Sequence, residues 1–298
     1  MFYVADHAIH TDIGLRRKHN EDSTYRGQYI YAVADGMGGA KLGDRAAQEV
    51  VHALDWADGE LARLLPHSQL EPAVQTENFQ QLISEVIAVA AQNITQIMAG
   101  TISPETQTQV LPQMNSAYLA QAAGLGQGEA APSSEISRPE AANSPTDKAG
   151  STVAGVVLGP QPFAFHVGDS RVYRWRGDEL YQVTRDHSLV QMMVDDGLLT
   201  AEEAHFHPRR NIITRAIGTY GTPVVEFTPL ELATDDLLLI CSDGLSDELT
   251  QNELKDQLIA HAGGKVANLV TDLTDCALAA GGHDNITVIA LQISSRSV

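Results

Sequence analysis

Apolar and polar positions change their period several times along this chain, and each change marks an element. Residues 1–35 read as strands, and within them Tyr29-Ile30-Tyr31-Ala32-Val33-Ala34 is a short apolar run that stops at Asp35-Gly36. A helical stretch follows over about 44–65, with Asp44 in the N-cap position. A second helix carries Phe79, Leu82, Ile83, Val86, Ile87, Ala90, Ala91, Ile94 and Ile97 at i, i+3, i+4, i+7 spacing, a stripe that packs on a core. From Ser151 the pattern returns to strands, first over 152–158 and then over 163–167, the latter ending at Gly168-Asp169-Ser170. Strands over 171–175 and 179–183 flank Gly177-Asp178 as a hairpin. A short helical region covers about 189–204, and 236–241 is a buried strand that ends at Ser242-Asp243-Gly244. Helices fit 252–260 and 266–279, and a strand over 286–293 closes the chain behind Gly281-Gly282-His283-Asp284-Asn285. Strands at both ends and helices in pairs predict an α+β layered domain rather than a parallel βαβ fold.

One stretch breaks the pattern. Residues 101–149 are rich in Ala, Gln, Ser, Pro, Glu and Gly and nearly devoid of large apolar side chains over 132–148. Such a segment buries too little surface to offset its ordering entropy, so the expectation is a largely disordered insertion with helix only around 111–123. The rest reads as a single domain over 1–298 interrupted by that insertion.

Composition adds one strong constraint. The 298 residues include 38 acidic and 19 basic side chains, a formal net charge of -19. That field opposes nucleic acid, whose binding rests on Lys and Arg neutralising phosphates, and it opposes anionic membrane surfaces. A phosphorylated substrate would need local cations, of which metal ions are one source. The two cysteines, Cys241 and Cys276, have no zinc spacing, and Cys241 lies in an apolar run as a buried thiol. No stretch approaches the about 18 apolar residues of a membrane span, and the N-terminus lacks the basic start and apolar run of a secretory signal. A cytoplasmic protein is expected.

The chemistry sits where apolar strands stop. Three of them end in an aspartate beside a small residue, at Asp35-Gly36, Asp169-Ser170 and Asp243-Gly244, and Asp284 stands just before the last strand. In antiparallel pairs the end of one strand lies beside the start of its neighbour, so these carboxylates can converge at one edge. Converged carboxylates raise one another's pKa unless a cation compensates them, and oxygen-only ligands favour Mg²⁺ or Mn²⁺. The same dipeptides are turn formers, and spacing alone leaves turns and metal ligands both open.

The chain resembles the metal-dependent protein phosphatase family (PPM, type 2C) in its bacterial serine/threonine form, and the resemblance rests on motifs in family order. Gly14-Leu15-Arg16-Arg17-Lys18-His19-Asn20-Glu21-Asp22 is similar to the opening G-x-x-R-x-x-N-E-D, and Asp35-Gly36-Met37-Gly38-Gly39 to D-G-x-G-G. Gly150-Ser151-Thr152, Val167-Gly168-Asp169-Ser170-Arg171, the run from His207 to Gly218, Ser242-Asp243-Gly244-Leu245 and Asp284-Asn285-Ile286-Thr287-Val288 complete the set. Only 101–149 lies outside the match.

The resemblance implies a central antiparallel β-sandwich flanked by paired antiparallel helices, a four-layer α-β-β-α fold, with a flap over about 187–220. It implies two Mn²⁺ or Mg²⁺ ions at one end, with a third, weaker one in bacterial members. Asp35 would bridge the two ions and Gly36 would offer its carbonyl. Asp243 and Asp284 would complete one shell, Glu21 would act through water, and Asp169 would help to hold the third ion. Arg17 would clamp the substrate phosphate, a task suited to a guanidinium. Hydrolysis of phosphoserine and phosphothreonine in proteins would follow from in-line attack by a water bridging the ions. Substrates of a Hanks-type Ser/Thr kinase and a monomeric state in signalling are the expected context.

Two further readings bear on this one. A phosphoprotein-binding pseudophosphatase with little turnover would require damaged ligand positions, and the acidic positions are intact. A P-loop, an HExxH motif and a GxSxG elbow are all missing from the sequence. Met37 stands where many eukaryotic members carry a histidine proposed to protonate the leaving alkoxide. His19, His187, His207 and His283 are the histidines near the motifs, and the sequence assigns that role to none of them.

Overall fold

In the computed structural model, residues 2–39, 42–100, 149–219 and 221–295 are described, so the expected disorder over 101–149 and helix over 111–123 lie almost wholly outside the described residues. The described strands are β1 (Phe2–Asp12), β2 (Asp22–Arg26), β3 (Ile30–Met37), β4 (Gly150–Ser151), β5 (Val153–Val157), β6 (Phe163–Val167), β7 (Arg171–Arg176), β8 (Glu179–Gln182), β9 (Glu226–Pro229), β10 (Leu237–Cys241) and β11 (Ile286–Ser295). The helices are α1 (Leu42–Leu64), α2 (Pro72–Met98), α3 (Leu189–Asp195), α4 (Ala201–His205), α5 (Asp243–Ser246), α6 (Gln251–Ala260) and α7 (Val266–Ala280). One sheet runs β1-β11-β10-β7-β8 and the other β2-β3-β5-β6-β9, with β4 pairing β3. Every named strand pair is antiparallel.

The central strands read as unbroken apolar runs because both of their faces are covered. On β3, Tyr31 and Val33, with Val156 of the neighbouring β5, face the other sheet, where they pack with Leu238, Ile240, Ile289 and Leu291. The alternate residues Ile30, Ala32 and Ala34 face α1 and α2, against Val50, Leu54, Leu61, Ile83, Val86 and Ile87. On β10, Leu237, Leu239 and Cys241 turn the opposite way, toward Leu254, Leu258, Leu269 and Leu273 of α6 and α7. Period-2 alternation therefore feeds three apolar layers at once, and the four-layer α-β-β-α arrangement expected from the sequence is what forms.

Local differences have local causes. The first long helix begins at Leu42, so Asp44 lies in its first turn instead of capping it, and its Oδ1 accepts from Gln48 Nε2 at 2.7 Å. The stretch 189–204 is two helices, because Thr200 and Glu203 form a reciprocal capping box that starts α4 anew. The hairpin at Gly177-Asp178 is present, with both residues at positive φ.

Candidate functional site

Sheet register alone brings the acidic residues together. Asp22 opposes Asp35 across the β2–β3 pair. Asp243 follows the end of β10 and Asp284 precedes β11, and these two strands pair with Cys241 opposite Val288. Asp169 lies in the crossing from β6 of one sheet to β7 of the other, where Arg171 opposes Cys241. All these positions fall at one end of the sandwich.

Backbone and polar side chains hold Asp35, Asp22 and Glu21 in place. Thr152 N donates to Asp35 O at 2.8 Å and Ser151 Oγ donates to the same carbonyl at 3.1 Å, while Thr152 Oγ1 and Ser170 Oγ lie 2.7 Å apart. Ser242 Oγ donates to Asp22 Oδ2 at 2.8 Å and accepts from Thr287 N at 3.0 Å. Asn285 Oδ1 accepts from Glu21 N at 2.8 Å, and its Nδ2 donates to the carbonyls of Ile13 and His19, each at 2.9 Å. One asparagine thus ties the loop before β2 to the start of β11. Gly36 is packed so closely that a Cβ there would stand 2.0 Å from Gly43 O, which explains why only glycine follows Asp35.

Electrostatics show what the arrangement lacks. Burial, and then Asp22, Asp243, Asp169 and Asp284, push the Asp35 carboxyl well above the usual carboxylate range. Burial, with Asp169, Asp247 and Asp284 behind it, does the same to Asp243. Burial raises Asp22 and Asp169 each to about 7, against the hydrogen bonds from Ser242 and Thr287 in the first case and with Asp186 and Asp247 adding in the second. Glu21 is raised by burial, with a lesser push from Asp284. Asp22 Oδ1 and Asp243 Oδ1 are buried without any hydrogen-bond partner. Orphaned acidic oxygens inside a cluster of mutually repelling carboxylates are what a divalent cation relieves, and an all-oxygen donor set fits Mn²⁺ or Mg²⁺.

Arg17 stands at the rim, its Nη2 bonded to Asp284 Oδ2. Burial alone would lower its pKa, but that bond and the charges of Asp284, Asp243 and Asp35 raise it. The guanidinium is half-exposed and faces the cluster.

Every residue singled out in the sequence, namely Arg17, Glu21, Asp35, Gly36, Asp169, Asp243 and Asp284, is found at this end of the sandwich. Two arginines of the 207–218 run are ion-paired. Arg210 Nε bonds Asp247 Oδ2 at 3.0 Å, and Arg215 Nη1 lies 3.5 Å from Glu226 Oε2. The histidines near the motifs are engaged elsewhere: His187 Nε2 with Glu226 Oε2 at 3.0 Å, His283 Nδ1 with Glu248 Oε1 at 2.6 Å, and His207 Nδ1 accepting from Arg209 N at 3.1 Å. His19 is exposed. Sequence reasoning included Asp22 and Asn285 in motifs without giving either a role, and it passed over Asp247. Alternation along β2 was the available signal for Asp22, and the i, i+4 step from Asp243 was the one for Asp247.

Comparison with known proteins places the sequence and the fold in one family. A family model described as protein phosphatase 2C matches residues 16–281. The serine/threonine protein phosphatase PstP of Mycobacterium tuberculosis H37Rv is 32% identical over 291 residues, covering 97% of this chain and 45% of that protein. The serine/threonine phosphatase stp of Listeria welshimeri is 29% identical over 287 residues, covering 95% of this chain and 93% of that protein. The chain thus spans about half the length of the mycobacterial relatives it matches and nearly all of the Listeria one. Among solved structures, Mycobacterium tuberculosis PstP/Ppp superposes with a TM-score of 0.68 at 28% identity over 98% of this chain and 100% of that one. The catalytic domain of PstP in complex with 2 manganese ions gives a TM-score of 0.67 at 26% identity, covering 99% and 100%. With a family model spanning most of its length and the acidic end of its sandwich intact, this chain belongs to the protein phosphatase 2C family.

Proposed function

We propose that this chain is a metal-dependent protein-serine/threonine phosphatase, a phosphoric monoester hydrolase acting on phosphoserine and phosphothreonine in proteins. One observation carries the reading: Asp22 Oδ1 and Asp243 Oδ1 are buried without a hydrogen-bond partner at the same end of the sandwich where the half-exposed guanidinium of Arg17 is bonded to Asp284. In this reading Asp35 and the carbonyl of Gly36 would hold Mn²⁺ or Mg²⁺ ions. Asp243 and Asp284 would hold one of them as well, Glu21 would act through water, and Asp169 would help to hold a third, weaker ion. When bound, such ions supply a water acidic enough to attack phosphorus in line near neutral pH and offset the charge on the phosphoryl group.

The protein's own groups do the rest. Arg17 presents a planar fork that suits two phosphate oxygens and holds the ester in line. Ser242 Oγ holds Asp22 Oδ2 and is itself held by Thr287 N, and Asn285 fixes the backbone of Glu21, which limits the directions these carboxylates can take. The domain is read as one phosphatase unit interrupted at 101–149, with a flap over about 187–220. The flap assignment draws support from its joined ends, where Thr214 N donates to His187 O at 2.7 Å and Ser188 bridges Ile213. Phosphoproteins marked by a Hanks-type Ser/Thr kinase are the inferred substrates, met by a monomeric enzyme in the cytoplasm.

The test is a Mn²⁺ titration of turnover on a phosphothreonine peptide, with EDTA-treated protein as the zero point. Turnover that rises with Mn²⁺ and vanishes on chelation is expected. Tight peptide binding with no turnover at any Mn²⁺ or Mg²⁺ concentration would replace this reading with a phosphoprotein-binding one.

A further inference from the structure

Away from the acidic cluster, His166 and His187 stack with ring centroids 4.5 Å apart and 20° between planes, and both are buried. With Glu226 they form a compact trio whose nitrogen and oxygen atoms lie within 4.8 Å of one another. These are the residue types of a transition-metal site, but the hydrogen bonds assign them another task. His187 Nδ1 accepts from Gly168 N at 3.1 Å, so in the neutral ring the proton sits on Nε2 and is donated to Glu226 Oε2 at 3.0 Å. Holding a metal through Nε2 would move that proton to Nδ1, where it would point head-on at the Gly168 N–H. Arg215 Nη1, 3.1 Å from His187 Nε2, already supplies positive charge there.

His187 grips Gly168 twice. Its ring accepts from Gly168 N, and its own backbone N donates to Gly168 O at 2.9 Å. Gly168 has φ +109, and a Cβ there would stand 2.6 Å from Thr152, so the peptide is held in a conformation that few other residues reach. The next residue is Asp169, itself buried. On its other side His187 O receives Thr214 N at 2.7 Å, which brings the far end of the flap to the same residue. His166 braces the arrangement from below, its Nε2 donating to Arg185 O at 2.7 Å.

We propose that His187 is a positioning residue for the reaction: by clamping Gly168 on both sides it fixes the direction of the Asp169 carboxylate and makes cation binding by Asp169 depend on the seated root of the flap. The proposal rests on the reading of the acidic cluster as a metal centre. Partners of this kind, one step removed from a ligand, typically change metal affinity by about 10–100-fold when lost.

Two substitutions divide the ring's bonds between them. Asn at 187 places an acceptor where Nδ1 was and loses the reach to Glu226, whereas Gln reaches the Nε2 position and loses the bond from Gly168. Mn²⁺ binding is measured directly by calorimetry and by electron paramagnetic resonance of free Mn²⁺, in wild type, His187→Asn, His187→Gln, Glu226→Gln and Asp169→Asn. Asp169→Asn identifies the binding step that depends on Asp169. The expected result is that His187→Gln weakens that same step about tenfold or more, with the tighter steps unchanged, while His187→Asn and Glu226→Gln bind as wild type. A wild-type isotherm in His187→Gln, or loss in His187→Asn with retention in His187→Gln, overturns the proposal. So does loss of every step together with the thermal transition in both His187 variants, which would make the residue a fold determinant alone. Should wild type itself bind no Mn²⁺, the metal-centre reading fails instead, so the two failures are told apart.

Discussion

Arg17 and Asp284, 267 positions apart in sequence, are joined by an ion pair between a half-exposed guanidinium and a carboxylate of the acidic cluster. The same guanidinium is the group proposed to receive a phosphate. In the phosphatase reading, a cation on Asp284 takes over the role of Arg17 and releases it for substrate. Arg17→Ala is therefore expected to lower kcat/KM for a phosphothreonine peptide by about 10–100-fold, the loss of one charge-assisted contact worth roughly 1.5–3 kcal/mol. Mn²⁺ affinity should hold or rise slightly, because a competitor for Asp284 has gone. Steady-state kinetics alongside calorimetry checks both halves, and a variant with unchanged kcat/KM would remove Arg17 from the phosphate site.

The raised carboxyls give stability a pH dependence of definite sign. For Asp35, Asp243, Asp22 and Asp169 the folded state holds its protons more tightly than the unfolded chain. Their contribution is thus fully present below the ordinary Asp range near about 3.9 and is lost as pH rises through the folded values, about 7 for Asp22 and Asp169. EDTA-treated protein should melt lower at pH 8 than at pH 5.5 on this account, and saturating Mn²⁺ should erase the difference. Calorimetric melts at the two pH values, with and without metal, test it.

Asp35→Asn and Asp243→Asn follow from the same repulsion. Each should abolish turnover with Mn²⁺ present, yet melt slightly higher than wild type in EDTA at pH 8. Relief of about 1 kcal/mol corresponds to roughly 2–4 °C in a domain of 150–250 residues. Full activity in either variant would remove that aspartate from the metal centre.

Much of this was legible in the sequence because the relevant physics is local and periodic. The apolar run ending at Asp35 and the one ending at Cys241 are buried on both faces, and a run of that kind needs no tertiary knowledge to be read as a central strand. The stripe from Phe79 to Ile94 was legible for the same reason. What escaped depends on pairing between distant segments. That Asp22 faces Asp35 follows from register, and that Asn285 joins Glu21 to the backbone of Ile13 follows from where β11 begins beside the first loop. The break between α3 and α4 was readable in principle, since Thr200 and Glu203 have capping-box spacing, but the apolar residues around it suggested a single helix.

The segment over 101–149 returns the chain close to where it left. Ala149 N lies 3.1 Å from Met98 Sδ, at the end of α2. A short Gly-Ser bridge between Gly100 and Gly150 that replaces residues 101–149 therefore has little distance to span, and loop-closure entropy changes only slowly with length. The shortened protein should fold with a melting temperature near that of wild type and retain turnover of a phosphothreonine peptide. Loss of the melting transition would show that the segment packs on the core, and a folded but inactive protein would make it part of the site.

Met37 ends β3 one residue beyond Gly36, half-buried and opposite Gly150. Met37 has no proton to give, His187, His207 and His283 are hydrogen-bonded elsewhere and His19 is exposed, and none of them is expected to protonate a leaving alkoxide. Without such a donor the rate should depend steeply on leaving-group pKa, so an aryl phosphate is expected to turn over faster than a phosphoserine peptide, unless peptide binding compensates. Met37→His puts an imidazole where many eukaryotic members carry one. It should raise kcat on the alkyl substrate, by up to the low end of general acid catalysis at about 10²-fold, and leave the aryl substrate nearly unchanged. The measurement is kcat for both substrates in wild type and Met37→His across about pH 6 to 9, the range over which an imidazole or a metal-bound water changes charge. A wild-type basic limb on the alkyl substrate alone, with no gain in the variant, would show that another group already supplies the proton, and Met37 would then mark no missing acid.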